Sequence, residues 1–136
     1  MKKYMVLFIA LVCILGLVSC NKEYTKDMSN ADKFLPAVQI VQVTFYSDSD
    51  IHEWELTQEE IKDWIVWLND LSLEQMNKED TSTPNDKHES GSRYIFEINT
   101  EKVCIQYVDR GDFGVYLLAE DVWYKVSNPK EPFNRY

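Results

Sequence analysis

The sequence predicts an α+β domain in which one helix packs on one face of a mostly antiparallel β-sheet. A single segment, residues 57–71, repeats apolar residues at the helical spacing, whereas the segments around it alternate apolar and polar residues as strands do. After the helix, several such strands follow one another with turn residues between them, which indicates an antiparallel meander at the C-terminus. One helix between an early strand and a late meander is typical of an α+β fold.

The first nineteen residues have the three parts of an export signal. Lys2 and Lys3 precede an apolar run from Met5 to Val18, and a short cleavage region ends at Ser19. The run is shorter than the roughly 20 residues that a spanning helix needs, so a permanent transmembrane helix is the less favoured interpretation. We therefore expect residues 1–19 to be removed as a signal peptide.

Leu17-Val18-Ser19-Cys20 resembles the lipobox of bacterial lipoproteins, a leucine, a variable residue, a small residue and the modified cysteine. The resemblance covers only this box and the signal before it. It implies that Cys20 becomes the first residue, carries acyl chains such as palmitate, and anchors the protein to the cell membrane or outer membrane on its extracytoplasmic side. Two or more chains give stable anchoring where one is marginal. The alternative is a secretory signal with a coincidental cysteine.

Charge and cysteine content limit the partners that the chain can bind. The formal charge is −9, and loss of Lys2 and Lys3 with the signal would take it to −11. Such a surface repels phosphate backbones and anionic headgroups, so we expect no nucleic-acid partner and no membrane contact except through lipid on Cys20. Cys104 would then have no cysteine to pair with, and its apolar strand predicts a packing residue rather than a nucleophile.

Domain organisation follows from the change in composition after the signal. Residues 20–33 are predicted to be the lipidated cysteine and a flexible tether, because residues 21–33 are polar and lack apolar periodicity. Residues 34–136 are predicted to form a single small α+β domain. Its first strand is predicted over residues 37–46, which are rich in β-branched and aromatic residues. Residues 52–56 are predicted to form a short second strand or an extended segment that leads into the helix.

The helix begins with a capping box formed by Thr57 and Glu60. It is predicted to run to about Leu71 with one apolar stripe, while Trp67 lies on the flank of that stripe. Residues 72–92 are predicted to be a long polar loop, and their composition favours disorder over function. The meander is predicted over residues 94–126, after which Phe133 folds back onto the core.

Aromatic residues are the strongest indication of a binding surface. The face of the sheet away from the helix is expected to carry apolar residues, and exposed rings often anchor protein or sugar ligands. The candidate binding residues are Trp67, Tyr116 and Trp123, of which Trp67 is the best candidate for exposure. The alternative is that Trp64 and Trp123 belong to the core.

No catalytic, metal or cofactor site is predicted. His52 and His88 each lack a second histidine or cysteine at a metal-ligand spacing, and the acids Asp48, Asp50 and Glu53 lack the arrangement of an EF-hand loop. We therefore expect a non-enzymatic, membrane-anchored domain that binds an envelope protein or peptide. The alternatives are a binder of small ligands such as glycans or cations and, less favoured, a hydrolase that uses Asp and Glu.

Overall fold

The computed structural model describes residues 28–77, 91–99 and 103–134. The predicted signal peptide, Cys20 and most of the predicted polar loop, including His88, lie outside these residues. The elements in chain order are α1 (Asn30–Phe34), β1 (Val41–Tyr46), β2 (Ile51–Glu55), α2 (Gln58–Asp70), β3 (Leu73–Gln75), β4 (Ser92–Ile98), β5 (Val103–Asp109), a 3₁₀ turn (Gly111–Phe113), β6 (Val115–Ala119) and β7 (Val122–Val126).

The seven strands form one sheet in the order β2-β1-β4-β5-β6-β7-β3. Every neighbouring pair is antiparallel, and β4 to β7 follow one another as the C-terminal meander. With α2 as the main helix, this arrangement confirms the predicted α+β fold class. The two edge strands of the sheet are β2 and β3.

Helix α2 begins with the capping box that the sequence predicts. The Thr57 side chain accepts a hydrogen bond from the Glu60 N–H at 3.2 Å, and the Glu60 carboxylate accepts one from the Thr57 N–H at 2.9 Å. These two bonds satisfy amide groups that would otherwise lack partners at the helix N-terminus. The helix then buries Ile61, Trp64 and Leu68 along the predicted stripe.

The hydrophobic core lies between α2 and one face of the sheet. Alternate residues of each central strand point into it, as the period of two requires. Trp64 and Phe96 pack with ring centroids 5.1 Å apart, and neither side chain is exposed to solvent. Full burial of a large apolar side chain stabilises a fold by about 1.5–3 kcal/mol. The sheet residues of this core are Val41, Val43, Phe45, Tyr94, Phe96, Ile98, Ile105, Tyr107, Val115, Leu117, Ala119 and Val126.

The segment after β7 returns across the core, as predicted for Phe133. The Phe133 ring packs edge-on against Trp54, with centroids 5.5 Å apart, and also contacts the rings of Tyr94 and Phe96. This packing covers the end of the core that lies under β2 and β4. The segment from Ser127 to Phe133 therefore belongs to the folded domain.

Two segment assignments from the sequence need correction. Asn30–Phe34 is a helix docked on the domain and not the end of a flexible tether, because the Asn30 side chain donates to the carbonyls of Leu68 and Leu71 at 2.8 Å each. Leu73–Gln75 is an edge strand paired with β7 and not part of a loop. In the part of the chain that the structure describes, no helix has the length and apolar character needed to cross a membrane.

Candidate interaction surface

The face of the sheet away from α2, called the open face below, carries a row of partly exposed apolar side chains. Ile95 on β4, Leu118 on β6 and Trp123 on β7 are each half-buried. They belong to one cross-strand row, in which Ile95 pairs with Gln106, Gln106 with Leu118, and Leu118 with Trp123. Cross-strand neighbours on one face have Cβ atoms about 5 Å apart, so these side chains form a continuous surface.

Trp123 is the predicted binding residue that this surface contains. It lies outside the buried core cluster, so the alternative that assigned Trp123 to the core is wrong, whereas the same assignment for Trp64 is confirmed. The Trp123 side chain keeps partial exposure beside Leu118 on the open face. A partly exposed tryptophan beside a leucine has the composition of a protein contact.

Tyr116 lies on the open face but is covered by its own chain. Its side chain is only 6% exposed, and its hydroxyl donates to the Phe113 carbonyl at 2.8 Å. Gly114 favours this cover, because its φ of 106° is strained for other residues. The prediction that Tyr116 offers a binding ring is therefore wrong.

Trp67 is buried on the opposite side of the sheet, in the core. It is 8% exposed, and its indole N–H donates to the Lys130 carbonyl at 2.9 Å. Its ring packs edge-on against Tyr107, with centroids 5.1 Å apart. The prediction that Trp67 is an exposed binding residue is wrong, because the C-terminal segment crosses the flank of α2 and covers the ring.

The charges around the open face are mostly negative. Its acids lie on β2, β4 and β3, and its bases, Arg93 and Lys125, lie on β4 and β7. Gln42 on β1 donates from its side-chain amide to the Glu55 carboxylate at 2.9 Å, so Glu55 is held above this face. The acids of the open face are Glu53, Glu55, Glu74 and Glu97.

The edge strand β2 adds an exposed apolar residue to the open face, Ile51, which is not among the predicted binding residues. Ile51 is 64% exposed and shares the open face with Glu53 and Glu55. The alternation of residues 51–56 contains this information, since Ile51 is in phase with the two glutamates. A single apolar residue among acids does not by itself predict a binding residue, because the position of β2 at the edge depends on the order of the strands.

A surface groove of about 520 Å³ opens at one end of the sheet. Its apolar lining includes Phe34, Val103 and Leu118, and its polar lining includes Lys33 and Cys104. Cys104 is exposed there and is not the packing residue predicted from sequence. Although Cys104 is exposed, neighbouring atoms partly exclude water from its thiol, and this desolvation and the nearby Glu97 carboxylate raise its pKa. The thiol therefore stays protonated at neutral pH and is a weak nucleophile.

The acids and histidine near the first turn are not gathered into a metal site. Within residues 28–77, 91–99 and 103–134, no three His, Cys, Asp or Glu side chains come close enough together to hold a metal ion. The His52 ring instead stacks on Phe45, with centroids 6.5 Å apart and an interplanar angle of 20°.

Comparison of the chain with protein-family models, with curated protein sequences and with solved structures gives no significant match.

Proposed function

We propose that this chain is a membrane-anchored lipoprotein whose domain binds a protein of the cell envelope and does not act as an enzyme. Lipid on Cys20 would be its membrane contact, and the open face of the sheet would be its binding surface. The observation that carries the proposal is the cross-strand row of Ile95, Leu118 and Trp123, which leaves apolar side chains partly exposed on the open face.

The chemistry of the partner follows from the charges around that row. The open face has acids at both edge strands and fewer bases, and the chain as a whole carries a formal charge of −9. A partner with lysines and arginines around an apolar centre would match both features. Electrostatic attraction would raise its association rate, and contact with Trp123 and Leu118 would slow its dissociation.

Site-specific photo-crosslinking tests this proposal. A photoreactive benzophenone amino acid replaces Trp123, and the cells that make the protein are irradiated before their envelope proteins are separated. We expect a covalent adduct with a protein that carries a basic surface patch. The matched control places the same amino acid at Val66, which is 60% exposed on α2, on the other side of the molecule.

The two positions distinguish binding at the open face from nonspecific crosslinking. Adducts at position 123 and none at position 66 support the proposed function. The same adducts at both positions, or none at position 123, contradict it. Identification of the adduct by mass spectrometry then shows whether the partner is basic at the point of contact.

A small-ligand function is the second candidate, and the groove beside Cys104 favours it. The groove combines apolar walls with Lys33, Glu120 and Asp121, and its volume suits a small molecule. A ligand bound there should raise the melting temperature of the parent, because binding to the folded state stabilises it. Leu118→Glu should abolish that shift for a true groove ligand, while Val66→Glu should leave it unchanged.

A further inference from the structure

We propose that the outer edge of β2 receives an extended segment of the partner as an additional antiparallel strand, and that this segment alternates basic and apolar side chains. The inference rests on the proposed function, since it names the form and chemistry of the bound partner. It uses different atoms, the backbone groups of Ile51, Glu53 and Glu55, so it can fail while the open face still binds.

The hydrogen bonds between β1 and β2 show which backbone groups point outward. The Leu56 N–H donates to the Val41 carbonyl at 2.9 Å, and the Ser47 N–H donates to the Asp50 carbonyl at 3.0 Å. Hydrogen-bonded pairs alternate along an antiparallel ladder, so residues 52 and 54 also face β1. The N–H and C=O groups of residues 51, 53 and 55 therefore point away from the sheet, and no described strand pairs with them.

The side chains of these three residues specify one face of the added strand. Glu53 and Glu55 lie on the open face together with Ile51. From Val41 to Ile61 the chain has six acids and no lysine or arginine, and the base Arg93 of the open face lies two strands away on β4. Residues directly opposite on neighbouring strands interact favourably when their charges are opposite. Lysine or arginine opposite Glu53 and Glu55 would satisfy this condition.

The other face of β2 specifies apolar side chains at the alternate positions. His52 stacks on Phe45, and Trp54 packs edge-on against Phe133, so β2 is lined by aromatic rings on the side of α2. An apolar side chain from an added strand would extend this aromatic layer at its border. The two faces of β2 together select a strand with basic and apolar residues in alternation.

The form of β2 leaves the backbone groups of its outer edge open to pairing. Natural edge strands are commonly kept very short, carry charged side chains or proline, or contain a bulge. The opposite edge, β3, follows this rule with three residues. In contrast, β2 has five residues without proline, pairs with β1 in unbroken register, and begins with Ile51 at 64% exposure. Its protection is the charge of Glu53 and Glu55, which a strand with basic side chains would neutralise.

A second copy of this chain does not suit the same edge. Antiparallel pairing of two β2 strands would place glutamates of one copy beside Glu53 and Glu55 of the other or expose them to each other diagonally. Like charges at these positions are destabilising. The charge of the edge therefore selects a basic partner over self-association.

Binding of a model peptide to the full-length chain, purified in a non-ionic detergent, tests the inference. The probe is a short peptide that alternates lysine and valine, and the control replaces each lysine with glutamate. We expect saturable binding of the lysine peptide, weakened by at least about tenfold when its lysine backbone nitrogens are methylated, because those N–H groups would face β2. Methylation of the valine nitrogens, which would face away, should have little effect.

Variants of β2 separate backbone pairing from attraction between charges. Glu53→Pro removes one outward N–H while leaving the bonds to β1 in place, and we expect it to abolish binding. Glu53→Gln keeps the N–H and should weaken binding less. Asp63→Asn, which removes one exposed acid from α2 on the other side of the molecule, is the matched control and should leave binding unchanged.

Hydrogen exchange gives the deciding readout. The amides of Ile51, Glu53 and Glu55 should exchange quickly in the free protein and slowly with the lysine peptide, whereas the amides of His52 and Trp54 should be slow in both. Absence of peptide binding, binding without this protection, binding that survives Glu53→Pro, or dimerisation through β2 would each overturn the inference. Crosslinking at position 123 together with unprotected β2 amides would overturn this inference alone and leave the proposed function in place.

Discussion

Tyr107 holds the C-terminal segment through the backbone of one residue. Its hydroxyl donates to the Lys130 carbonyl at 2.9 Å and accepts from the Lys130 N–H at 3.2 Å. The same carbonyl accepts the Trp67 indole N–H, so a strand, a helix and the C-terminal segment meet at Lys130. The segment that carries Phe133 onto the core depends on this junction.

Tyr107→Phe should destabilise the domain by about 1–3 kcal/mol, because it removes two part-buried hydrogen bonds to the Lys130 backbone. Urea unfolding measured by tryptophan fluorescence gives this difference. Tyr124→Phe is the control, since its half-buried ring keeps its contact with Phe34. An equal loss in both variants would contradict a specific role for the Tyr107 hydroxyl.

The same hydroxyl predicts how stability depends on alkaline pH. Burial, followed by the Glu131 and Asp109 carboxylates, raises the pKa of Tyr107 to about 12 from its ordinary value of about 10, although the hydrogen bond to the Lys130 backbone opposes the shift. Between these two pH values the unfolded chain loses the phenolic proton while the folded chain keeps it, so stability falls as pH rises. The parent should lose more stability than Tyr107→Phe across this window in urea titrations, and parallel curves would contradict the assignment.

At the scale of elements, helix α2 ends without the glycine that commonly terminates helices. Two asparagines from distant segments of the chain donate hydrogen bonds to its last carbonyl groups instead. Asn30 donates to the carbonyls of Leu68 and Leu71, and Asn128 donates to the carbonyl of Asp70 at 2.8 Å. The Asn128 side chain also accepts a hydrogen bond from the Ser72 N–H. Helix α1 and the segment after β7 are therefore both bonded to the C-terminal end of α2.

Asn30→Ala and Asn128→Ala should each lower the free energy of unfolding by about 1–2 kcal/mol, because carbonyls at a helix end lose their partners. Lys62→Ala, an exposed change on the same helix, should have an effect within about 0.5 kcal/mol. Chemical denaturation of the three variants measures these values. If the asparagine variants match Lys62→Ala, the helix end does not depend on these side chains.

These long-range bonds explain which elements the sequence could predict. The start of α2 was predictable because Thr57 and Glu60 lie three residues apart, and the buried stripe repeats within the same helix. The burial of Trp67 was not predictable, because its hydrogen-bond partner is the backbone of Lys130, which no side-chain pattern indicates. Strand β3 has only three residues, two of them polar, and forms through pairing with β7 far along the chain.

The candidate surface was predictable in part for the same reason. Alternation within β6 and β7 places Leu118 and Trp123 on one face, and the meander makes them neighbours. Tyr116 shares that face, but the turn from Arg110 to Gly114 folds over it. The position of β2 at the edge depends on the order of the strands, in which β1 pairs with β4, a strand that follows α2 in the chain. No local pattern in the sequence predicts this pairing.

At the scale of the whole molecule, the acidic surface and the proposed anchor act together. A chain with a formal charge of −9 gains nothing from contact with anionic headgroups, so a membrane-bound form would depend on lipid alone. The first described helix, α1, packs on the end of α2 and begins at Asn30, ten residues after Cys20. The domain would then be attached to the membrane through its N-terminal side and would bind the partner through β2 and Trp123.

Cys20→Ser should move the protein from the membrane fraction to the soluble fraction of the envelope without changing its fold, because the thiol that would carry lipid is lost while Cys20 precedes every described element. Cys104→Ser is the matched control, since Cys104 is an exposed strand residue, and it should stay with the membrane. A wash with about 1 M salt should not release the parent, because screening weakens charge contacts and not acyl insertion. Fractionation measures membrane association, circular dichroism measures the fold, and labelling with an acyl-chain analogue measures lipidation. Membrane retention of Cys20→Ser, or release of the parent by salt, would show that the anchor lies elsewhere.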